Sequence, residues 1–301
     1  MAPAIKSLRR SISVFLDSYH SFASIATFLV FPFSASLLLS QSLSPSPFLL
    51  TLYLRISSLF LAAGFPPSSP FFSLLNSKLS QAIFSFLSTL PFTLTFFLAA
   101  KAAIILTITK PSPISSLLRL YRFLLSTHLY NTFAVLSANA AFFSIVFLAF
   151  NFADALRLHS GPVLLALSAA GAILYSIIIA NATVVCNLAE VVAVSENSSG
   201  GCFPLLKACV MIRGREAAAI TLALPANLGM AAVEALFQHR VVNPWRRSSR
   251  SLTPSAMGEA FCIAYTHSLL VVLDVIISCM LYRSCREEEE EAGDEEKVMQ
   301  V

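Results

Sequence analysis

The chain has 301 residues, 56% of them hydrophobic and only 12% charged, with a formal net charge of +4 and a mean hydropathy of +0.76. So little polar surface cannot cover a water-soluble globule, which excludes the soluble classes and leaves a protein whose main solvent is lipid. In hydrocarbon every backbone N–H and C=O must be paired within its own segment, and apolar runs of 19 to 26 residues without period-2 alternation exclude a β-barrel. The expected fold class is therefore all-α: a polytopic membrane protein with about six transmembrane helices and basic amphipathic interfacial helices.

The first element is an amphipathic helix near residues 5–19. Ile5, Leu8, Ile12, Phe15, Leu16 and Tyr19 recur on one face, and Lys6, Arg9, Arg10, Ser13 and Asp17 occupy the other. Such a helix lies in the headgroup plane, where each Lys or Arg gains about 1 kcal/mol from anionic cytosolic lipid. The opening lacks the short apolar core and cleavage site of a secretory signal, so the first span, 22–40, reads as an uncleaved signal anchor. A Ser-rich start with one acid, Asp17, also fits a plastid transit peptide, against which the Phe and Leu runs argue.

Residues 47–65 are apolar apart from Arg55. An arginine in mid-span costs roughly 2.5 to 3.5 kcal/mol on insertion scales, so an interfacial helix near 48–63 is expected instead of a span. Pro66, Pro67 and Pro70 then break the chain before the second span, 84–109, which carries Pro91 and Lys101. Pro91, and Pro225 in the fifth span, are expected to bend their helices.

After Pro111 and Pro113 a second amphipathic helix, near 114–126, sets Leu117, Leu118, Tyr121, Leu124 and Leu125 against Arg119 and Arg122. Spans at 132–152 and 162–185 follow. On the fourth, Ser176, Thr183, Asn187 and Glu190 share one face with Ala169 and Ala172, which reads either as a packing seam or as the wall of a ligand path. A third amphipathic helix, near 204–213, carries Lys207, with Arg213 and Arg215 after it. The fifth span is 217–237, and a loop with Arg240, Arg246, Arg247 and Arg250 leads to the sixth, 260–282.

His267, Asp274 and Ser278 share a face of that last span, the first two standing about 10 Å apart along the axis. Ionisable groups at membrane depth are expensive. Glu190, Asn187, His267, Asp274 and Lys101 are therefore the candidates for a polar cavity between the fourth and sixth spans, with plain helix packing as the alternative. The tail, 286–301, holds eight acids against Arg286 and Lys297, a net of −6. It reads as a disordered acidic arm, or as a docking segment for a basic cytosolic protein.

Six cysteines form no CxxC pair and read as apolar fillers, with Cys279 and Cys285 the candidates for S-acylation at the end of the last span. No phosphate-binding GxxxxGK, no GxSxG and no metal-ligand spacing occurs, so neither enzyme activity, cofactor, metal nor nucleic-acid partner is expected. With both termini in the cytosol, twelve Lys and Arg near the spans fall inside and seven outside, four of the seven in the 238–258 loop against the positive-inside rule.

The stretch Thr183-Val-Val-Cys-Asn-Leu-Ala-Glu190-Val-Val-Ala-Val-Ser195-Glu196, followed by Gly200, Leu206-Lys207-Ala208 and Ile212-Arg213-Gly214-Arg215, resembles a plant family of uncharacterised six-span membrane proteins. Leu87-Ser88-Thr89 and Tyr130-Asn131 extend the resemblance over roughly residues 85 to 285. The position of Ser195, the absence of the family's Leu before Glu196, and the acidic tail depart from its pattern. The resemblance implies six spans, cytosolic basic connectors and an endoplasmic-reticulum or plasma-membrane address. It implies no reaction and no cofactor. The expected function is that of a membrane-organising, scaffold or trafficking component that contacts anionic headgroups through Lys6, Arg9, Arg10, Arg119, Arg122, Lys207, Arg213 and Arg215. The alternative is a small-solute or ion transporter using the polar cavity.

Overall fold

The computed structural model describes the backbone of residues 2–42, 47–62, 70–109, 114–156, 161–196, 200–247 and 254–299. Every regular element among them is helical. Helix α1 (Ala2–Asp17) ends at Ser18, and α2 (Tyr19–Ile25) runs through a π-turn, Ala26–Val30, into α3 (Phe31–Ser42). Helix α4 (Pro47–Ala62) is followed by α5 (Pro70–Phe92), a π-turn at Thr93–Phe97 and α6 (Leu98–Thr109). Then come α7 (Ile114–Ala155), α8 (Gly161–Ser195), α9 (Cys202–Ile212) and α10 (Glu216–Phe237). A π-turn at Gln238–Val242, α11 (Asn243–Arg247) and α12 (Pro254–Met299) complete the chain.

Six stretches are long and apolar enough to cross a membrane: Tyr19–Ser40, Ser73–Thr109, Leu120–Phe152, Leu165–Ser195, Glu216–Trp245 and Pro254–Glu287. Each overlaps one expected span. The two shorter apolar helices, Pro47–Ala62 and Cys202–Ile212, fall where interfacial helices are expected. At 16 and 11 residues they reach about 24 and 16 Å, short of the hydrocarbon's roughly 30 Å. On α7 the large apolar side chains Phe133, Leu136, Ile145, Leu148 and Phe152 are each more than 60% exposed.

The helices differ from the sequence expectation in two places. The amphipathic helix of 114–126 and the span of 132–152 are one unbroken helix of 42 residues, α7. Nothing between them, Ser126 to Asn131, is Gly or Pro, so no residue stops propagation. Pro91 is followed directly by the widened turn at Thr93–Phe97, as expected where a proline removes the bond to the carbonyl four residues back. Finally, α12 carries the tail expected to be disordered as helix to Met299. Its Glu, Ala and Lys residues are good helix formers adjoining a formed helix.

The chain divides into two compact units, one of residues 1–17, 102–225 and 274–301, the other of 18–101 and 226–273. In the first, α7, α8 and α9 pack on one another, and the run Leu188 to Val194 at the end of α8 is buried at every position. A Cβ on Gly200 would stand 2.6 Å from the Phe123 carbonyl oxygen, so only glycine lets the α8–α9 connection lie against α7. Gly201, at φ +113°, donates its N–H to Thr127 Oγ1 at 3.4 Å.

In the second unit α3 and α4 both pack on α5. Leu38, Phe237, Val241, Val242, Ile263 and Ala264 form an apolar cluster. Phe33 stacks on Phe97 at 4.4 Å between ring centres and Phe31 meets Phe261 at 4.8 Å. Hydroxyls of Ser40 and Ser85 bond at 2.7 Å, and the Asn76 amide donates to the Tyr53 carbonyl at 3.3 Å. Small-residue and amide bonds of this kind are what hold helices together where no hydrophobic drive acts between them.

Candidate functional site

At and just past the end of α8, three polar side chains, Asn187, Glu190 and Glu196, turn to other helices of the first unit. Glu190, buried, has a carboxylate oxygen 2.8 Å from His128 Nδ1 on α7. Asn131, one turn on from His128 and so on the same face, donates to the Cys186 carbonyl at 3.0 Å and reaches the same Glu190 oxygen at 3.5 Å. Its own Oδ1 is buried without a hydrogen-bond partner. Asn187 faces α12 and donates to Asp274 Oδ2 at 3.2 Å. Glu196, just past the end of α8, accepts from Lys207 Nζ at 2.6 Å and from the Tyr282 hydroxyl at 3.1 Å, joining α9 and α12.

Two further contacts bring other chain segments to this unit. Arg283 donates to the Ile108 carbonyl at 2.7 Å, holding α12 to the end of α6. Arg10 lies 3.8 Å from Glu287, so α1 meets the same stretch of α12, through a pair more than half exposed on both sides. A pair that open contributes little on its own. It is informative as geometry.

Of the five expected cavity residues, Asn187, Asp274 and Glu190 belong to this unit and make the contacts just described. Asn187 meets Asp274 of the sixth apolar stretch, whereas Glu190 pairs with His128 of the third. His267 and Lys101 belong to the second unit and have partners there. Lys101 is buried with its ammonium 4.5 Å from the centre of the Phe97 ring, a cation–π contact that offsets part of its burial. His267, 1% exposed, has Nδ1 3.0 Å from Ser34 Oγ, while Nε2 stands 3.8 Å from Glu234 and has no hydrogen-bond partner. Among the described residues no group of three or more His, Cys, Asp or Glu could hold a metal ion.

His128 and Ser34 are the side chains that sequence reasoning did not single out. His128 falls between the amphipathic helix and the span expected around it, where a polar triplet looks like a connector. The i, i+3 spacing of His128 and Asn131 was the available signal, since both point one way if the helix continues.

Of the expected headgroup contacts, Arg9, Arg10, Arg122 and Arg213 are exposed and Arg215 is half-buried. Lys207 is engaged by Glu196. The side chains of Lys6 and Arg119 lie outside the described residues. Cys279 and Cys285 are 3% and 2% exposed, so the face of α12 that carries them is turned inward and S-acylation there is not supported. The free, exposed cysteines are Cys202, Cys209 and Cys262.

Comparison with known proteins gives one relationship. The family model described as Domain of unknown function (DUF8558) matches residues 4–300. No curated protein and no solved structure matches the chain.

Proposed function

We propose that this chain, which belongs to the family described as Domain of unknown function (DUF8558), is a six-span integral membrane protein that organises the bilayer around it as a scaffold or trafficking component rather than as an enzyme. The observation that carries this reading is the gathering, within one unit, of the helix ends that bear the basic residues. Arg10 meets Glu287, Arg283 meets the end of α6, Tyr282 and Lys207 both meet Glu196, and Gly200 lies against Phe123 of α7. Helix ends in contact share one side of any bilayer that the six helices cross. With Arg9, Arg122 and Arg213 exposed beside them, that side is the cytosolic one under the positive-inside rule. The polar side chains between α7, α8 and α12 are tied to one another, which suits a closed, packed interior.

On this reading the exposed arginines contact anionic headgroups at the endoplasmic reticulum or plasma membrane, and the acidic end of α12 docks a basic cytosolic protein. The resemblance to plant six-span proteins supports the same address. The test is lipid co-purification. Full-length protein extracted in mild detergent should carry anionic lipid in excess over zwitterionic lipid, and Arg9→Glu, Arg10→Glu, Arg122→Glu and Arg213→Glu together should remove the excess. An unchanged lipid profile in that variant would sink the scaffold reading.

A second reading, a small-solute or ion transporter, is favoured by the Asn187–Asp274 contact between the fourth and sixth spans and by the orphaned His267 Nε2 facing Glu234. Its test is proton flux into proteoliposomes loaded with a pH-sensitive dye. Flux abolished by Asp274→Asn supports it, and no flux above empty liposomes dismisses a proton-coupled mechanism.

A further inference from the structure

Helix α9 presents a continuous apolar face outward. Cys202, Phe203, Leu206, Cys209 and Val210 are all exposed, Phe203, Leu206 and Val210 at 54%, 62% and 71%. Positions i, i+1, i+4, i+7 and i+8 form one helical stripe. The opposite stripe, Pro204, Ala208, Met211 and Ile212, is buried, and α9 packs on α7 and α8. At 11 residues the helix spans about 16 Å, too short to cross a bilayer. Lys207 is pinned to Glu196 at the edge of the buried stripe, and exposed Arg213 follows the last turn.

We infer that Cys202 and Cys209 are S-acylation sites, and that long-chain acyl groups on these two thiols cover the outward face of α9 within the cytosolic leaflet. Both cysteines are free and exposed and stand seven residues apart, so chains attached to them leave the helix on the same side. Amphipathic surface helices carry cysteines of this kind as reversible acylation sites, and each buried methylene adds about 0.8 kcal/mol to membrane attachment. The step is acyl transfer without redox change. The cysteine sulfur attacks the thioester carbonyl of a fatty acyl coenzyme A, the carbonyl's bond to the coenzyme A sulfur breaks, and coenzyme A departs with the proton lost by the cysteine.

The inference rests on the cytosolic placement of α9 proposed above, because acyl coenzyme A is supplied from the cytosol. The experiment is hydroxylamine-dependent exchange of acyl groups for a polyethylene-glycol maleimide on the full-length protein expressed in eukaryotic cells, with modified thiols counted as steps on a gel. The expected result is two steps in the wild type, one in Cys202→Ser or in Cys209→Ser, and none in the double variant. Cys279→Ser with Cys285→Ser should leave both steps in place. No step in the wild type, or a step that survives the double variant through Cys262 or another thiol, overturns the inference. Labelling by a membrane-impermeant maleimide in sealed vesicles separates the two ways to fail. Thiols on α9 reached only from the lumen overturn the topology and the site together, whereas thiols reached from the cytosolic face but never acylated overturn the acylation alone.

Discussion

His128 and Glu190 meet at 2.8 Å across 62 residues of sequence, with 4% of the glutamate side chain and 18% of the histidine side chain exposed. Burying a carboxylate is tolerable only with a partner in place. The contact fixes the rotation of α7 relative to α8, because a turn of either helix would leave the carboxylate facing apolar side chains.

Removing one member alone should therefore cost more than removing both. Glu190→Ala or His128→Ala takes away the partner at 2.8 Å from the other group, at roughly 3 to 5 kcal/mol. Replacing the two together by leucine should recover most of that loss. Thermal unfolding in detergent measures all three, and single variants as stable as the wild type would show that the pair contributes nothing.

Gly200→Ala and Gly258→Ala should act in opposite directions. The first drives a Cβ to 2.6 Å from the Phe123 carbonyl oxygen and 2.9 Å from its Cα, backbone atoms that cannot swing aside, and should destabilise by about 1 to 3 kcal/mol. The second meets nothing within 4 Å and sits inside helix α12, where alanine is favoured by up to about 1 kcal/mol. The two unfolding temperatures, compared side by side, read out the difference. Equal shifts would mean that the α8–α9 connection does not lie tightly on α7.

The Asn187–Asp274 bond should show a small but real coupling. Hydrogen bonds between helices in lipid average about 0.6 kcal/mol and reach about 1.7. A double-mutant cycle with Asn187→Ala and Asp274→Ala should give a value in that range, and strict additivity would place the two side chains apart.

Residues 197–199, an Asn-Ser-Ser sequon, lie outside the described residues, but both flanks belong to the first unit, whose helix ends the proposed orientation puts on the cytosolic side. Asn197 should therefore stay unglycosylated in eukaryotic expression, while a sequon introduced in the 238–258 loop should become modified. A glycosidase-sensitive shift lost in Asn197→Gln would reverse the orientation.

The six apolar stretches could be read directly from composition and run length, because lipid imposes one rule on every spanning segment. The polar contacts were only half legible. Asn187 and Asp274 could each be placed on a polar face of its helix, but that they meet, at 3.2 Å, only the packing shows. Glu190 was assigned to the same seam because a single sequence shows the face of a helix and not which neighbour covers it. Ser126, Thr127 and His128 looked like a connector between two helices, yet Thr127 accepts a bond from Gly201 and His128 pairs with Glu190. A polar run can mark a break or an interior contact, and only packing decides which. The same ambiguity governs the cysteines: Cys279 and Cys285 lie on a face whose burial no periodicity reveals, whereas α9 shows its exposed pair only once its inner stripe is known.

Helix α7, at 42 residues, is about 63 Å long, roughly twice the depth of a hydrocarbon layer. On the proposed insertion, the part of α7 beyond the lipid is continuous with the part inside it, so the helix would act as a lever. A change of about 10° in the tilt of its lipid-facing half would sweep the outer end sideways by roughly 5 Å. Arg122, and the Phe123 backbone on which Gly200 rests, ride on that outer end. Bilayers of different thickness would thus set this surface at different lateral positions, turning membrane thickness into a displacement on the aqueous side.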